Sequence, residues 1–254
     1  MSLLFPAVFF AFGAIVASFV GVLAGRLNTG QSFLVGRSRC DACGMTLTSL
    51  MLVPIVSYVA YGGRAHCCGA RLSPLSPATE LLLGALFTLS YFQLGFSTAL
   101  PFMFLSLAIL MALVLYDLWH QILPTPLLIA FVLVSALTGF LLASSPGEFY
   151  MSIFVALLIG GSLALIHFLS RGRAMGFADA PFAFGLSLLA GPAAFSGFIF
   201  SFWIGAVIGI VILLKRPRGS RMGGEVPFAP FLAAGFLLAY FTQWNLLVYI
   251  AVLH

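Results

Sequence analysis

Two aspartates, Asp117 and Asp179, stand within or beside apolar segments of a chain that is 62% hydrophobic and has six acidic residues. An ionisable side chain at membrane depth is costly unless a partner or water compensates it, so each aspartate calls for a functional explanation. Two neighbouring carboxylates do not both ionise easily. Sharing a proton, they can act as base and acid on a water that attacks a peptide carbonyl. The pair is therefore the first candidate for catalysis.

The positions of the two aspartates in their segments predict a common depth. Asp117 falls near the end of one apolar run and Asp179 at the start of another, which places both at helix ends on one side of a membrane. A helix C-terminus disfavours negative charge and an N-terminus favours it, so Asp179 is expected to ionise more readily. Two simpler interpretations stay open: Asp179 caps its helix, or Asp117 reaches towards lipid headgroups.

The composition predicts the elements that must position these residues. A mean hydropathy of +1.17 with 7% charged residues excludes an ordinary soluble domain, in which about 25% of residues are charged. We expect an all-α, polytopic integral membrane protein with about eight transmembrane helices, since a span needs roughly 20 apolar residues. The apolar segments lie near residues 5–25, 77–96, 99–118, 123–143, 149–170, 177–193, 195–214 and 229–252.

The chain is predicted to divide into three parts. The first is a retained transmembrane helix at 1–25, followed by a loop at 26–76 that holds all four cysteines. A transmembrane catalytic bundle of about seven helices follows at 77–254. Within the loop, the apolar segment 49–61 is interpreted as interfacial or re-entrant, because counting it as a ninth span would move every later loop across the membrane.

The basic residues predict the orientation. With eight spans and the N-terminus outside, all eleven basic residues fall on one side, which the positive-inside rule makes cytoplasmic. They are Arg26, Arg37, Arg39, Arg64, Arg71, Arg171, Arg173, Lys215, Arg216, Arg218 and Arg221. The net charge of +5 is then explained by topology and the anionic headgroups of the lipid bilayer, and no nucleic-acid partner is expected.

The cysteines of the loop have the outline of a zinc site. Cys40 and Cys43 form a Cys-x-x-Cys pair, and Cys67 and Cys68 follow later in the loop. Cys40, Cys43 and Cys68 could bind zinc with either Cys67 or His66 as the fourth ligand. Adjacent cysteines rarely both serve, and four reduced thiols without a metal are the alternative. A zinc ion would stabilise a loop that has little core of its own.

Several segments, in order along the chain, resemble the aspartic prepilin peptidases, also called type IV leader peptidases. The eight residues from Asp117 to Pro124 look like the family's first active-site motif, and Gly176-Phe-Ala-Asp179 resembles its second, GxGD. Three further segments look like family landmarks: the Cys40 pair with its flanking residues, Ser73 to Glu80 with its Pro77, and Pro227 to Phe231.

The resemblance implies a membrane endopeptidase of the bacterial inner membrane with its active site facing the cytoplasm. Asp117 and Asp179 would be its catalytic dyad, and Gly176, Ala178, Glu80 and Pro124 its motif and site-lining residues. Its substrates would be type IV prepilins or pseudopilins, from which it removes a short basic leader. Many members then methylate the new N-terminus with S-adenosylmethionine.

The sequence also departs from the family's patterns. Ala178 replaces the second glycine of GxGD, Ala180-Pro181 follow where a hydrophobic residue and Lys are usual, and Ala65 replaces the first cysteine of the second pair. Ala178 is expected to narrow the site, and Ala65 puts the methyltransferase activity in question. A catalytically inactive relative is thus one alternative, and a proton-coupled transporter with an aspartate relay is another. His167, on an otherwise apolar helix, is expected to hydrogen-bond a neighbouring helix.

Overall fold

The computed structural model describes residues 3–29, 40, 42–46, 48, 53–173, 175–215 and 227–243. Arg37, Arg39, Arg216, Arg218 and Arg221 of the orientation argument lie outside these ranges, as does the end of the predicted segment 229–252. The described part is helical, with an isolated bridge between Arg64 and Arg71, which confirms the all-α prediction. Its α-helices are α1 (Leu4–Arg26), α2 (Val56–Ala60), α3 (Leu75–Leu94), α4 (Leu100–His120), α5 (Thr125–Leu142), α6 (Pro146–Ser170), α7 (Asp179–Ala190), α8 (Ala194–Lys215) and α9 (Ala229–Thr242).

Six helical segments of the described chain are long and apolar enough to cross a membrane, so this is a multi-pass membrane protein. They are α1, α3, α4, α5, α6 and the run Asp179–Ile212, which joins α7 to α8. The sequence predicted two spans in this run, at residues 177–193 and 195–214. Gly191, at φ +55°, and Pro192 interrupt it with a short 3₁₀ turn. At 1.5 Å per residue the 12 residues of α7 extend about 18 Å, less than the hydrocarbon thickness.

Residues 1–100 form one compact unit, in which α1 packs on α3. A Cβ on Gly13 would lie 2.7 Å from the Leu83 carbonyl oxygen, and one on Gly84 would lie 2.9 Å from that of Phe10. Small residues allow such close helix approach, so these glycines set the distance between the two helices. The predicted interfacial segment contains the short helix α2, whose Val56 and Val59 are exposed.

Residues 101–254 form the second unit, in which α7 packs against α5, α6, α8 and α9. A Cβ on Gly139 of α5 would lie 2.5 Å from the carbonyl oxygen of Leu188, and one on Gly160 of α6 would lie 3.1 Å from that of Ala180. In the same unit α8 packs on α9, and the Ser201 hydroxyl donates a hydrogen bond to the Leu232 carbonyl at 3.2 Å. Of these contacts, the one between Gly160 and Ala180 lies at the start of α7, next to Asp179.

Candidate functional site

Asp117 lies in the last turn of α4, with its side chain buried. Its Oδ2 accepts a hydrogen bond from the backbone amide of Ala229 at 3.3 Å. Ala229 is the first residue of α9, where amides have no partner within their own helix and where the helix dipole favours an anion. The headgroup interpretation of Asp117 does not fit this buried, hydrogen-bonded position.

Asp179 is the first residue of α7 and is half-buried. Ala178 occupies the N-cap position, so Asp179 is not the cap of its helix. Its carboxylate accepts a hydrogen bond from the Gly176 amide, and it is close enough to Asp117 for the two charges to interact. The structure therefore brings together two acids that are 62 residues apart in the sequence, and supplies each with one backbone donor.

The two backbone donors change the electrostatic argument. The dipole of α4 alone disfavours an ionised Asp117, but the start of α9 faces the same carboxylate and acts in the opposite direction. The dipoles of α4 and α7 alone therefore do not decide which of the two aspartates ionises more readily. Sequence reasoning singled out the segment from Pro227 to Phe231 without giving it a role. The role of this segment depends on a backbone amide, which the sequence of side chains does not reveal, so the sequence pattern could not assign that role.

Three of the other expected site residues lie in the segments that follow α4 and precede α7. Pro124 is buried and is the N-cap of α5, at the end of the turn that follows α4. Gly176 lies beside Asp179, since a Cβ on it would meet Asp179 Oδ2 at 3.5 Å. Ala178 has φ −64° and ψ −21°, an ordinary helical conformation. The backbone there does not require glycine, so the departure from GxGD adds a methyl group without adding backbone strain.

Glu80 has a local role within the first unit. Its buried carboxylate accepts a hydrogen bond from the Ile55 amide at 2.7 Å and one from the Ser76 hydroxyl at 3.4 Å. Ile55 has φ +59° and ψ −50°, and the Val56 amide donates to the Pro54 carbonyl across it. This is a strained γ-turn, which is rare for a β-branched residue. Glu80 therefore anchors the turn that leads into α2.

The four cysteines form a cluster whose sulfur atoms all lie within 4.8 Å of one another. Cys43 and Cys67 sulfurs are 3.4 Å apart, those of Cys40 and Cys68 are 3.8 Å apart, and those of Cys67 and Cys68 are 3.9 Å apart. A tetrahedral site with metal–sulfur bonds of about 2.3 Å has sulfur–sulfur separations of roughly 3.8 Å. The cluster could therefore bind a metal ion.

The fourth position of the cluster belongs to Cys67. His66 instead packs edge-on against the Tyr61 ring, with centroids 4.8 Å apart. The sulfurs of the adjacent residues Cys67 and Cys68 thus both lie within the cluster, which their spacing in the sequence did not lead us to expect. Two similar turns carry the sulfurs, because the Gly44 amide donates to the Cys40 carbonyl and the Gly69 amide donates to the Ala65 carbonyl.

The thiols of the cluster differ in acidity. Hydrogen bonds from the Cys43 and Ala42 amides lower the pKa of Cys40 to about 7. The hydrogen bond that Cys67 shares with Cys43 raises the pKa of Cys67 to about 12. One thiol thus ionises readily while another resists, and a bound dication would supply the charge that lets coordinating thiols deprotonate.

The described residues thus form a helical, multi-pass membrane fold in which two interacting aspartates lie at helix ends. Residues 11–94 match the Bacterial Peptidase A24 N-terminal domain. The prepilin leader peptidase/N-methyltransferase of Bacillus subtilis is 32% identical over 245 residues, covering 92% of this chain and 92% of that protein. This chain belongs to the prepilin leader peptidase/N-methyltransferase family, which confirms the resemblance found in its motifs.

Two further relatives with the same name are more distant. The protein from Dichelobacter nodosus is 31% identical over 221 residues, covering 81% of this chain and 71% of that protein. The protein from Pseudomonas aeruginosa is 27% identical over 216 residues, covering 81% and 72%. No solved structure matches the chain.

Proposed function

We propose that this chain is a membrane aspartic endopeptidase that removes the leader of type IV prepilins or pseudopilins, with Asp117 and Asp179 as its catalytic pair. The observation that carries the proposal is the interaction between the two carboxylates at the ends of α4 and α7. Family membership supplies the substrate class, because the relatives are named prepilin leader peptidases.

The arrangement supports a shared-proton mechanism. The ionised member of the pair takes a proton from a water as that water attacks the scissile carbonyl, and the protonated member donates to the carbonyl oxygen. The Ala229 and Gly176 amides can each stabilise negative charge on the carboxylate they contact. Because coupled acids titrate as a pair, the two roles belong to the pair and not to either residue alone.

Two features support an active site at the cytoplasmic face of the inner membrane. Arg171 and Arg173 are exposed in the loop that leads to Asp179, as the positive-inside rule expects of a cytoplasmic loop. Leu118 and Trp119, which follow Asp117, are also exposed, and tryptophan is enriched at membrane interfaces. A prepilin leader is cytoplasmic and precedes an apolar helix, so its cleavage site lies near the cytoplasmic interface of the membrane.

The cysteine cluster is proposed to hold a structural zinc ion through Cys40, Cys43, Cys67 and Cys68. A bound zinc ion would add to the free energy of folding of this region. The relatives' names also include an N-methyltransferase, and S-adenosylmethionine is the methyl donor that such an activity would use. Methylation by this chain is proposed as a second activity, separable from cleavage.

One experiment tests both activities. The purified full-length chain is incubated in detergent with a prepilin, with and without S-adenosylmethionine, and the products are analysed by mass spectrometry. We expect loss of the leader in both samples and a gain of one methyl group only with the methyl donor. An uncleaved prepilin would contradict the peptidase assignment and favour an inactive relative, whereas cleavage without methylation would remove only the second activity.

A further inference from the structure

His167, in the last turn of α6, is hydrogen-bonded to the loop that precedes Asp179. Its Nδ1 lies 2.9 Å from the carbonyl oxygen of Met175. A carbonyl oxygen only accepts, so Nδ1 carries the proton and donates it. The expected partner was a neighbouring helix, but the observed one is the backbone just before the GxGD-like motif.

The peptide group that accepts this bond also serves Asp179. Its carbonyl belongs to Met175, and its N–H, on Gly176, donates to the Asp179 carboxylate. The C=O and N–H of one trans peptide lie in a plane and point in opposite directions, so fixing the carbonyl also fixes the N–H. An accepted hydrogen bond polarises the peptide and strengthens its donor. His167 and Asp179 are thus joined through a single rigid unit.

The imidazole ring is itself held in place. The rings of Phe168 and Phe177 pack edge-on against it, with centroids 5.5 and 5.6 Å away. Gly172, at φ +74°, closes over the ring so tightly that a Cβ there would lie 3.3 Å from His167 Cε1. These contacts limit the rotation of the ring, so Nδ1 has a fixed direction towards Met175.

We infer that His167 is a positioning residue for Asp179, acting through the Met175–Gly176 peptide. The inference deepens the proposed function and depends on Asp179 belonging to the catalytic pair. His167 need not touch the substrate. Its contribution is to hold the Gly176 amide towards the carboxylate, so its loss should affect the chemical step more than substrate binding.

Three substitutions at His167 test the inference in the full-length chain with a purified prepilin. In His167→Asn, the side-chain amide nitrogen lies near the place of Nδ1 and can still donate to Met175. In His167→Gln the donor lies one methylene further out, and His167→Leu has none. We expect the Gln and Leu variants to lose about tenfold in kcat, equivalent to ~1.4 kcal/mol, with KM within about twofold of the parent. The Asn variant should stay within about threefold in kcat.

The controls separate the possible failures. The Asn and Gln variants are both polar and uncharged, so their comparison stands even if the Leu variant does not accumulate in membranes. Parental kcat in the Gln variant, or an equal loss in the Asn and Gln variants, would overturn the positioning role. Asp179→Asn is assayed in parallel: if it cleaves normally, the catalytic pair is wrong and the inference falls with it. If it is inactive while the Gln variant is fully active, only the inference fails.

Discussion

Among single residues, three acidic side chains are each hydrogen-bonded by a backbone amide. Asp117 accepts a hydrogen bond from the Ala229 amide, Asp179 accepts one from the Gly176 amide, and Glu80 accepts one from the Ile55 amide. A buried donor that loses its acceptor costs about 1–3 kcal/mol. Neutral isosteres keep an acceptor oxygen, whereas truncations do not, so paired substitutions can separate loss of charge from loss of a hydrogen bond.

Substitution of Glu80 should show this distinction away from the acid pair. Glu80→Ala leaves the Ile55 amide without its acceptor at a strained turn, so we expect the melting temperature in detergent to fall, with a loss of about 1–3 kcal/mol. Glu80→Gln keeps an acceptor and should melt close to the parent. Equal melting temperatures for the parent and the Ala variant would show that Glu80 does not support the turn.

Ala178→Gly tests the departure from the GxGD motif. Ala178 already has helical backbone angles, so the flexibility of glycine offers no relief and any gain must come from removing the methyl group beside Asp179. We expect kcat for prepilin cleavage to rise about two- to threefold, with melting little changed. A variant no faster than an active parent would mean that the methyl group does not narrow the site.

At the scale of elements, two similar turns build the cysteine cluster. In the first turn, Cys40 and Cys43 both contribute sulfur; in the second, Ala65 stands at the position that matches Cys40. The backbone of the second turn still forms the same hydrogen bond, from Gly69 to Ala65, so the missing sulfur does not alter its shape. Cys67 supplies the fourth sulfur from a different place in the turn.

Moving the fourth sulfur tests this account of the cluster. We expect about one zinc per chain by elemental analysis, as a four-sulfur site requires, and its loss in Cys67→Ser. Adding Ala65→Cys to that variant should restore the metal, because position 65 in the second turn matches that of Cys40. His66→Ala is the matched control and should keep its zinc. Metal lost from the His66 variant but kept in Cys67→Ser would make histidine the ligand.

For the whole molecule, the proposed membrane orientation would connect the positions of the basic residues to the proposed chemistry. The loop that leads to Asp179 carries Arg171 and Arg173, while the loop between α5 and α6 carries Ser144 and no basic residue. Placing the arginines in the cytoplasm puts the start of α7, and with it Asp179, on the side where a prepilin leader lies.

The orientation is testable with a membrane-impermeant maleimide on intact cells. All native cysteines are expected inside, so the parent should stay unlabelled. Ser144→Cys should be labelled in intact cells, because Ser144 is exposed in a loop that the proposed orientation places outside. Arg173→Cys should stay unlabelled in intact cells and should take up more label than the parent only after the cells are opened. Labelling of Arg173→Cys in intact cells would reverse the topology and remove the cytoplasmic active site.

Sequence patterns predicted the features that depend on side-chain type. Apolar runs located the helices of the described chain. Because acidic residues are rare in such runs, Asp117 and Asp179 stood out as candidate site residues. What the patterns missed depends on backbone groups and on contacts between distant segments. The amide of Ala229 is 112 residues from Asp117, and the carbonyl of Met175 that receives His167 has no signature in sequence. Likewise, spacing could not show that adjacent Cys67 and Cys68 both reach the cluster.

The most direct test of the central claim is cleavage of a prepilin by the two aspartate variants. Asp117→Asn and Asp179→Asn each keep an acceptor oxygen and the side chain's shape, but neither can share a proton as a carboxyl pair does. Glu148→Gln is the matched control, since Glu148 belongs to the cap of α6. We expect both aspartate variants to insert normally and to leave the leader uncleaved, while the Glu148 variant cleaves at the parental rate. Near-parental cleavage by either aspartate variant would contradict the assignment of the pair.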